Sequence, residues 1–270
     1  MDFPISGVEV FPLVPVLVGF AIASFTTPAG VSGAFLLLPF QFSVLGFTAP
    51  GVTPTNLLYN VISTPGGVWR YLRQGSVDFS LVRAIATGAV PGVIAGSVLR
   101  VTLFDDPGTF KAFVGAILFL LGTNIVAQAT RRPNGRSEVR EDFSHLKVFF
   151  LGAIAGIIGG IYGVSGGSIV APVLAGVFGL SVKRVAAAAL VATFITSVVG
   201  VLSFQLLALR ESAPAAAGPD WMLALLFGLG GALGGFTGAR LNDRFPERGL
   251  RLILGALAMV LAAFYVIPVL

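Results

Sequence analysis

Two short runs offer residue types that could hold a charged ligand, GVSGAF at 30–35 and GVSGGS at 163–168. Small residues let a ligand approach the backbone N–H groups closely, and hydroxyls stand beside them at Ser32, Ser165 and Ser168. Behind each run, uncharged polar residues recur at helical spacing. In the first copy these are Thr53, Thr55, Asn56, Asn60, Ser63 and Thr64. Asn56, Asn60 and Ser63/Thr64 stand at i, i+4 and i+7/i+8, so they share one helix face. The second copy thins to Thr193, Thr196 and Ser197, with Ala189 in the place of Asn56. Neutral donors suit a partly desolvated oxoanion, because each N–H or O–H meets an oxygen without burying a second charge. The first turn of a helix adds free amides and the positive end of its dipole. The candidate substrate-binding set is Ser32, Gly33, Ala34, Asn56, Asn60, Ser63, Thr64, Ser165, Gly166, Gly167, Ser168, Thr193, Thr196 and Ser197. A lone Ser or Thr more often bonds its own helix backbone, so the stripe as a set carries the reading.

Other chemistry is thinly provided. Cysteine is absent and the one histidine, His145, falls in a charged segment. Thiolate chemistry, Cys/His zinc sites and His-ligated haem are excluded. All 12 acidic residues lie in loops, termini or segment ends, which argues against cation transport and carboxylate proton relays. No GxxxxGK[ST] motif is present. Neither a catalytic residue, a metal nor a cofactor is expected, and the chain does not read as an enzyme. The pI of about 10.1 reflects basic loops that orient a membrane protein, not nucleic acid.

The elements that must position these residues are apolar. The 270-residue chain is 56% hydrophobic and 11% charged, with mean hydropathy +0.94. Ten apolar segments can be drawn, near 10–28, 34–47, 52–69, 79–103, 109–129, 147–162, 168–180, 185–208, 221–241 and 249–269. The expectation is an all-α polytopic membrane protein. The first segment lacks a basic flank, so it reads as a true span, not as a cleavable signal. Segments 34–47 and 168–180 are too short to cross a hydrocarbon core of about 30 Å, and each follows a glycine break. Pro39 and Pro172 mark kinks inside them.

The chain is internally repeated. A shift of 133 positions lays 30–68 on 163–201 with 12 of 39 identities, among them Leu57/Leu190 and Gly67/Gly200. A shift of 142 lays Gly88, Gly92 and Gly96 on Gly230, Gly234 and Gly238, two GxxxGxxxG ladders suited to close helix packing. The expected organisation is a first repeat at 1–129, a cytoplasmic linker at 130–146 and a second repeat at 147–270. Five segments per repeat imply inversion. With the N-terminus outside, 14 of the 17 basic residues fall on the inner side; Arg100, Lys111 and Arg210 fall outside. Short, glycine-interrupted segments at matching positions of inverted halves point to a transporter's central site, with the broken helices meeting near the midplane.

The paired small-residue motifs, the Thr/Ser stripes behind them and the GxxxG segments resemble the sulfite exporter TauE/SafE family over nearly the whole chain. The best matches are 30–68 and 163–201. The first motif, TTPAGVSGA (26–34), departs from the usual glycine-rich form, and Asn56 and Asn60 stand where simpler residues are common. The resemblance implies secondary transport, in the export direction, of a small sulfur-containing anion such as sulfite or an organosulfonate across the bacterial inner membrane. It implies substrate contact at Ser32–Ala34 and Ser165–Ser168. The alternatives are an anion channel, or a membrane enzyme or assembly subunit without transport. Oligomeric state is left open, a homo-oligomer among the options.

Overall fold

The computed structural model describes residues 1–27, 32–130, 143–176, 178–210, 217–241 and 247–266. Gly30 and Val31 of the first motif, and 131–142 of the expected linker, lie outside the described residues. The described chain is a helical membrane protein with one N-terminal hairpin, β1 (Asp2–Phe3) and β2 (Val8–Glu9). The helices are α1 (Leu13–Thr26), α2 (Ala34–Ser43), α3 (Val52–Ser63), α4 (Pro65–Arg73), α5 (Phe79–Thr102), α6 (Pro107–Thr130), α7 (His145–Tyr162), α8 (Gly166–Gly176), α9 (Val182–Ala208), α10 (Trp221–Leu241) and α11 (Glu247–Val266). Among the described residues, α5, α6, α7, α9, α10 and α11 are long and apolar enough to cross a membrane. Large apolar side chains such as Leu17, Phe20, Phe119, Leu206 and Phe264 face outward. A surface of that kind suits lipid, not water.

The two short helices are cut as the sequence anticipates. α2 and α8 have 10 and 11 residues, about 15 and 16 Å of helix. Both leave through the same turn. Gly46 and Gly179 each have φ +69°, a left-handed conformation that glycine adopts without steric cost. Leu45 N–H donates to Phe40 O and Phe47 N–H to Gln41 O. At positions 133 further on, Phe178 N–H donates to Val173 O and Leu180 N–H to Leu174 O.

Segment 52–69 is not one helix. α3 stops at Ser63 and α4 starts at Pro65. Proline has no N–H for the helical ladder but fits the first turn of a new helix. The matching residue, Val198, has its N–H, and α9 runs unbroken for 27 residues. α4 buries no residue, and Arg73 lies over the Trp69 ring at 4.3 Å.

Packing is reciprocal at repeat-related positions. α5 lies against α7, and α1 against α10. A Cβ on Gly88 would stand 2.0 Å from the Phe149 carbonyl oxygen, and one on Gly230 2.0 Å from that of Val16. A Cβ on Gly92 would lie 2.4 Å from Ala153 O, and one on Gly234 2.2 Å from Phe20 O. The partner helices are as tight in return: a Cβ on Gly152 would lie 2.7 Å from Ile85 O, and one on Gly19 2.3 Å from Phe227 O. α6 packs on α11 and α3 on α9. The ladders are packing surfaces whose backbones touch.

Candidate functional site

The site is assembled around α3. Residues 51–60 are buried without interruption, although Thr53, Thr55, Asn56 and Asn60 are polar. Burying such groups is costly unless each finds a partner. Asn56 is used most fully. Its Nδ2 donates to Ala34 O at 2.8 Å and to Gly163 O at 3.0 Å, while its Oδ1 accepts from Gln41 Nε2 at 3.4 Å. One side chain thus ties the start of α2 to the end of α7, joining the two glycine breaks. Tyr162 OH makes a second tie, donating to Phe35 O at 2.7 Å. Thr53 Oγ1 fastens α3 to the same end of α7, donating to Ile161 O at 3.0 Å.

Gly163 closes α7 with φ +83°, and a Cβ there would lie 2.8 Å from Thr53 O. Both the turn and the contact demand glycine. Gly33 has Tyr59 OH 2.6 Å from where a Cβ would be. Ser32 Oγ accepts from Ala34 N–H at 3.3 Å at the head of α2, and donates to Asn60 Oδ1 at 3.3 Å. In the second half Gly167 lies against α9, its ideal Cβ 2.2 Å from Ala189 O and 2.6 Å from Thr193 Oγ1. Gly166 is less crowded, with its nearest contacts at 3.3 Å. Ser165 and Ser168 hydroxyls are 3.3 Å apart.

The stripes are brought opposite one another. A Cβ on Gly67 would be 2.7 Å from Leu190, and one on Gly200 2.7 Å from Leu57. That antiparallel register sets 60–64 against 193–197. Several hydroxyls there are spent within their own helices: Thr64 on Asn60 O, and Thr196 on Ala192 O and Thr193 O. Ser63 stands one turn beyond Tyr59 at the end of α3. Two donors are left over. Asn60 Nδ2 and Ser197 Oγ are buried without a protein partner, on residues 1% and 0% exposed.

Three residues outside the expected set belong to this assembly. Gln41 is fully buried beside Asn56, and Tyr162 bridges the breaks. Arg100, expected among the outer loops, is instead fully buried near the end of α5. A signal for it exists in the sequence: 88, 92, 96 and 100 form one i+4 series, so Arg100 continues the buried glycine face.

Both ends of the assembly are tied. Where α5 and α9 begin, Arg184 Nε donates to Asp78 Oδ2 at 2.6 Å, and the two side chains form an ion pair. Burial raises the Asp78 carboxyl, but the Leu81 and Ser80 amides and Arg184 outweigh it and hold it below its ordinary range. The carboxylate is therefore charged at neutral pH. At the opposite end the hairpin buries Phe3 and Val8 in a cluster with Phe47, Val52 and Tyr162. Asp220 accepts there from Ser6 N–H at 3.1 Å and Ser6 Oγ at 2.8 Å, and Asp220 N–H donates to Thr55 Oγ1 at 2.8 Å. His145 starts α7, stacks on Phe143 at 4.8 Å and shares a shallow recess with Arg83.

Residues 15–265 match the family described as sulfite exporter TauE/SafE. The chain is similar to a protein of Bacillus subtilis (strain 168) named probable membrane transporter protein YjnA. The two are 25% identical over 256 residues, covering 91% of this chain and 96% of the relative. No solved structure matches.

Proposed function

The chain belongs to the sulfite exporter TauE/SafE family of membrane transporters, and from that premise we propose that it moves a small sulfur-containing anion by alternating access. Sulfite or an organosulfonate is the substrate class, and export across the bacterial inner membrane is the direction. The observation that carries the reading is the pair of leftover donors, Asn60 Nδ2 and Ser197 Oγ, beside two tied glycine breaks. Leaving buried donors unpaired costs about 1–3 kcal/mol each, and an oxoanion offers acceptors to both. Within Ser32–Ala34 and Ser165–Ser168, the backbone of Gly33, Gly166 and Gly167 and the Ser165/Ser168 hydroxyl pair add donors. The Ser32 hydroxyl and the Ala34 N–H are already engaged and brace the turn. Asn56 holds the breaks in place, and Thr64 and Thr196 stiffen the stripes.

The test is calorimetric binding of purified protein to sulfite, sulfate, thiosulfate, sulfoacetate, taurine and acetate, followed by counterflow in proteoliposomes. Counterflow separates a carrier from a channel. Asn60→Ala and Ser197→Ala should each weaken binding of the preferred anion by about 1–2 kcal/mol, the scale of one hydrogen bond to a charge. The melting temperature of Ser197→Ala should barely move, since its hydroxyl has no protein partner to lose. Asn60→Ala forfeits only the bond that its Oδ1 accepts from Ser32 Oγ, about 1 kcal/mol. Unchanged affinity in both variants would place the anion elsewhere.

The same reading takes 1–129 and 147–270 as inverted halves joined by a cytoplasmic 130–146. The reciprocal contacts between the halves support an approximate two-fold relation, and the basic residues support the orientation. Thr48 and Gln74 are exposed near opposite ends of the α3–α4 segment, in a chain with no native cysteine. An impermeant thiol reagent applied to intact cells should label Thr48→Cys and spare Gln74→Cys. The reverse pattern would overturn the orientation.

A further inference from the structure

Helix α5 carries a buried cation whose surroundings do not neutralise it. Arg100 is 0% exposed, although it stands two residues from the end of α5. An arginine so placed ordinarily extends its head to the interface. This one turns inward. Its Nε donates to Thr53 Oγ1 at 3.1 Å, one of its Nη groups to Phe104 O, and its guanidinium carbon lies 3.7 Å from the Phe110 ring centroid. All three partners are neutral. The other amino group, Nη2, is buried with no partner. Asp105 is the acid whose charge reaches it, but Asp105 is exposed and makes no ion pair with it.

Position gives this charge its meaning. Thr53 Oγ1, which accepts from Arg100, donates to Ile161 O. Two residues on is Gly163, whose ideal Cβ touches Thr53 O and Asn56. The guanidinium is therefore one side chain removed from the second glycine break and from the clamp that joins both breaks. A buried charge without a counter-charge costs several kcal/mol, and an unpaired N–H of that charge adds to the cost.

We propose that Arg100 supplies the counter-charge for the transported oxoanion, its guanidinium fork engaging the anion on the hairpin side of the breaks. This rests on the anion-transport reading above. The neutral donors on the stripes fix the position of the oxygens, while Arg100 selects for negative charge. The ligand class is a small oxoanion with two coplanar oxygens that a guanidinium fork can take together, as sulfite and sulfonates offer.

The experiment is calorimetric titration of sulfite into detergent-purified wild type, Arg100→Gln, Arg100→Lys and Asn60→Ala, each checked for a monodisperse fold and melting temperature. Arg100→Gln should lose affinity by at least about 100-fold. Arg100→Lys keeps the charge but loses the fork, and should lose about 10-fold. Folded Arg100→Gln with wild-type affinity, while Asn60→Ala is weakened, would overturn this proposal and leave the transport reading standing. Wild type that binds none of the anions would overturn both. Should Arg100→Gln not fold, the lysine variant decides: unchanged affinity overturns the proposal and a ten-fold loss sustains it.

Discussion

Gly88→Ala and Gly230→Ala should each remove a large part of the folded stability, and by similar amounts. In both cases the new methyl would sit 2.0 Å from a backbone carbonyl oxygen, of Phe149 and of Val16 respectively. A carbonyl inside a helix cannot swing aside as a side chain can, so two whole helices must separate. Overpacking of a tight interior costs about 1–3 kcal/mol and occasionally more, and these contacts belong at the upper end. The cost comes from a total that is about 5–15 kcal/mol in ordinary proteins. Gly66→Ala is the control, since nothing lies within 4 Å of its added carbon. Thermal unfolding of the three variants in detergent measures the effect. Ladder variants as stable as Gly66→Ala would mean that α5·α7 and α1·α10 do not approach as closely as described.

Asn56→Ala should cost both stability and binding, in contrast to Asn60→Ala one turn away. Removing the Asn56 amide strips a partner from Ala34 O, Gly163 O and Gln41 Nε2 at once. The carbonyls of α2 and α7 stay buried, and the glutamine loses its acceptor. Loss of about 3 kcal/mol is expected, at the scale of buried polar groups left unpaired. Binding should weaken because the clamp on the Ala34 and Gly163 carbonyls is gone, leaving the single Tyr162 to Phe35 O bond to hold the breaks together. Asn60→Ala removes a side chain whose Nδ2 has no protein partner and whose Oδ1 accepts one bond, from Ser32 Oγ. Its stability should fall by about 1 kcal/mol, well short of the Asn56 loss. Parallel melting and calorimetric titration of both variants decide. An Asn56→Ala protein with normal stability and affinity would show that the amide is not a clamp.

The helical, membrane-spanning character and the short broken segments were legible because hydropathy and glycine spacing are local properties of sequence. The ladders were legible as packing surfaces for the same reason. The division of labour within the polar stripe was not. Asn56 and Asn60 sit on the same helix face, and spacing alone makes them equivalent candidates for a ligand. Only the approach of Ala34 and Gly163 from two other helices commits Asn56 to the backbone and leaves Asn60 with a spare donor. Arg100 illustrates a second limit. Counting charges by loop treats an arginine near a helix end as solvated, and a side chain of that length reaches either the interface or the interior. Its i+4 register with Gly88, Gly92 and Gly96 gives the side, which periodicity within the span can reveal and a loop count cannot. The break at Pro65 was open to reading from proline chemistry, with hydroxyl residues at 63–64 before it and glycines at 66–67 after it.

The exchange of helices between halves bears on how the chain can be made. A ribosome releases α5 and α7 about 66 positions apart, and that pair can close soon after both have left the insertion machinery. α1 has no such early partner. The residues it packs against, Phe227, Gly230 and Gly234, are synthesised some 210 positions later, so α1 must wait in lipid until α10 arrives. The nascent first half therefore carries an unmatched surface through most of translation. Neither half, produced separately, has its own complement of interfaces, and the two should become protease-resistant only when made together.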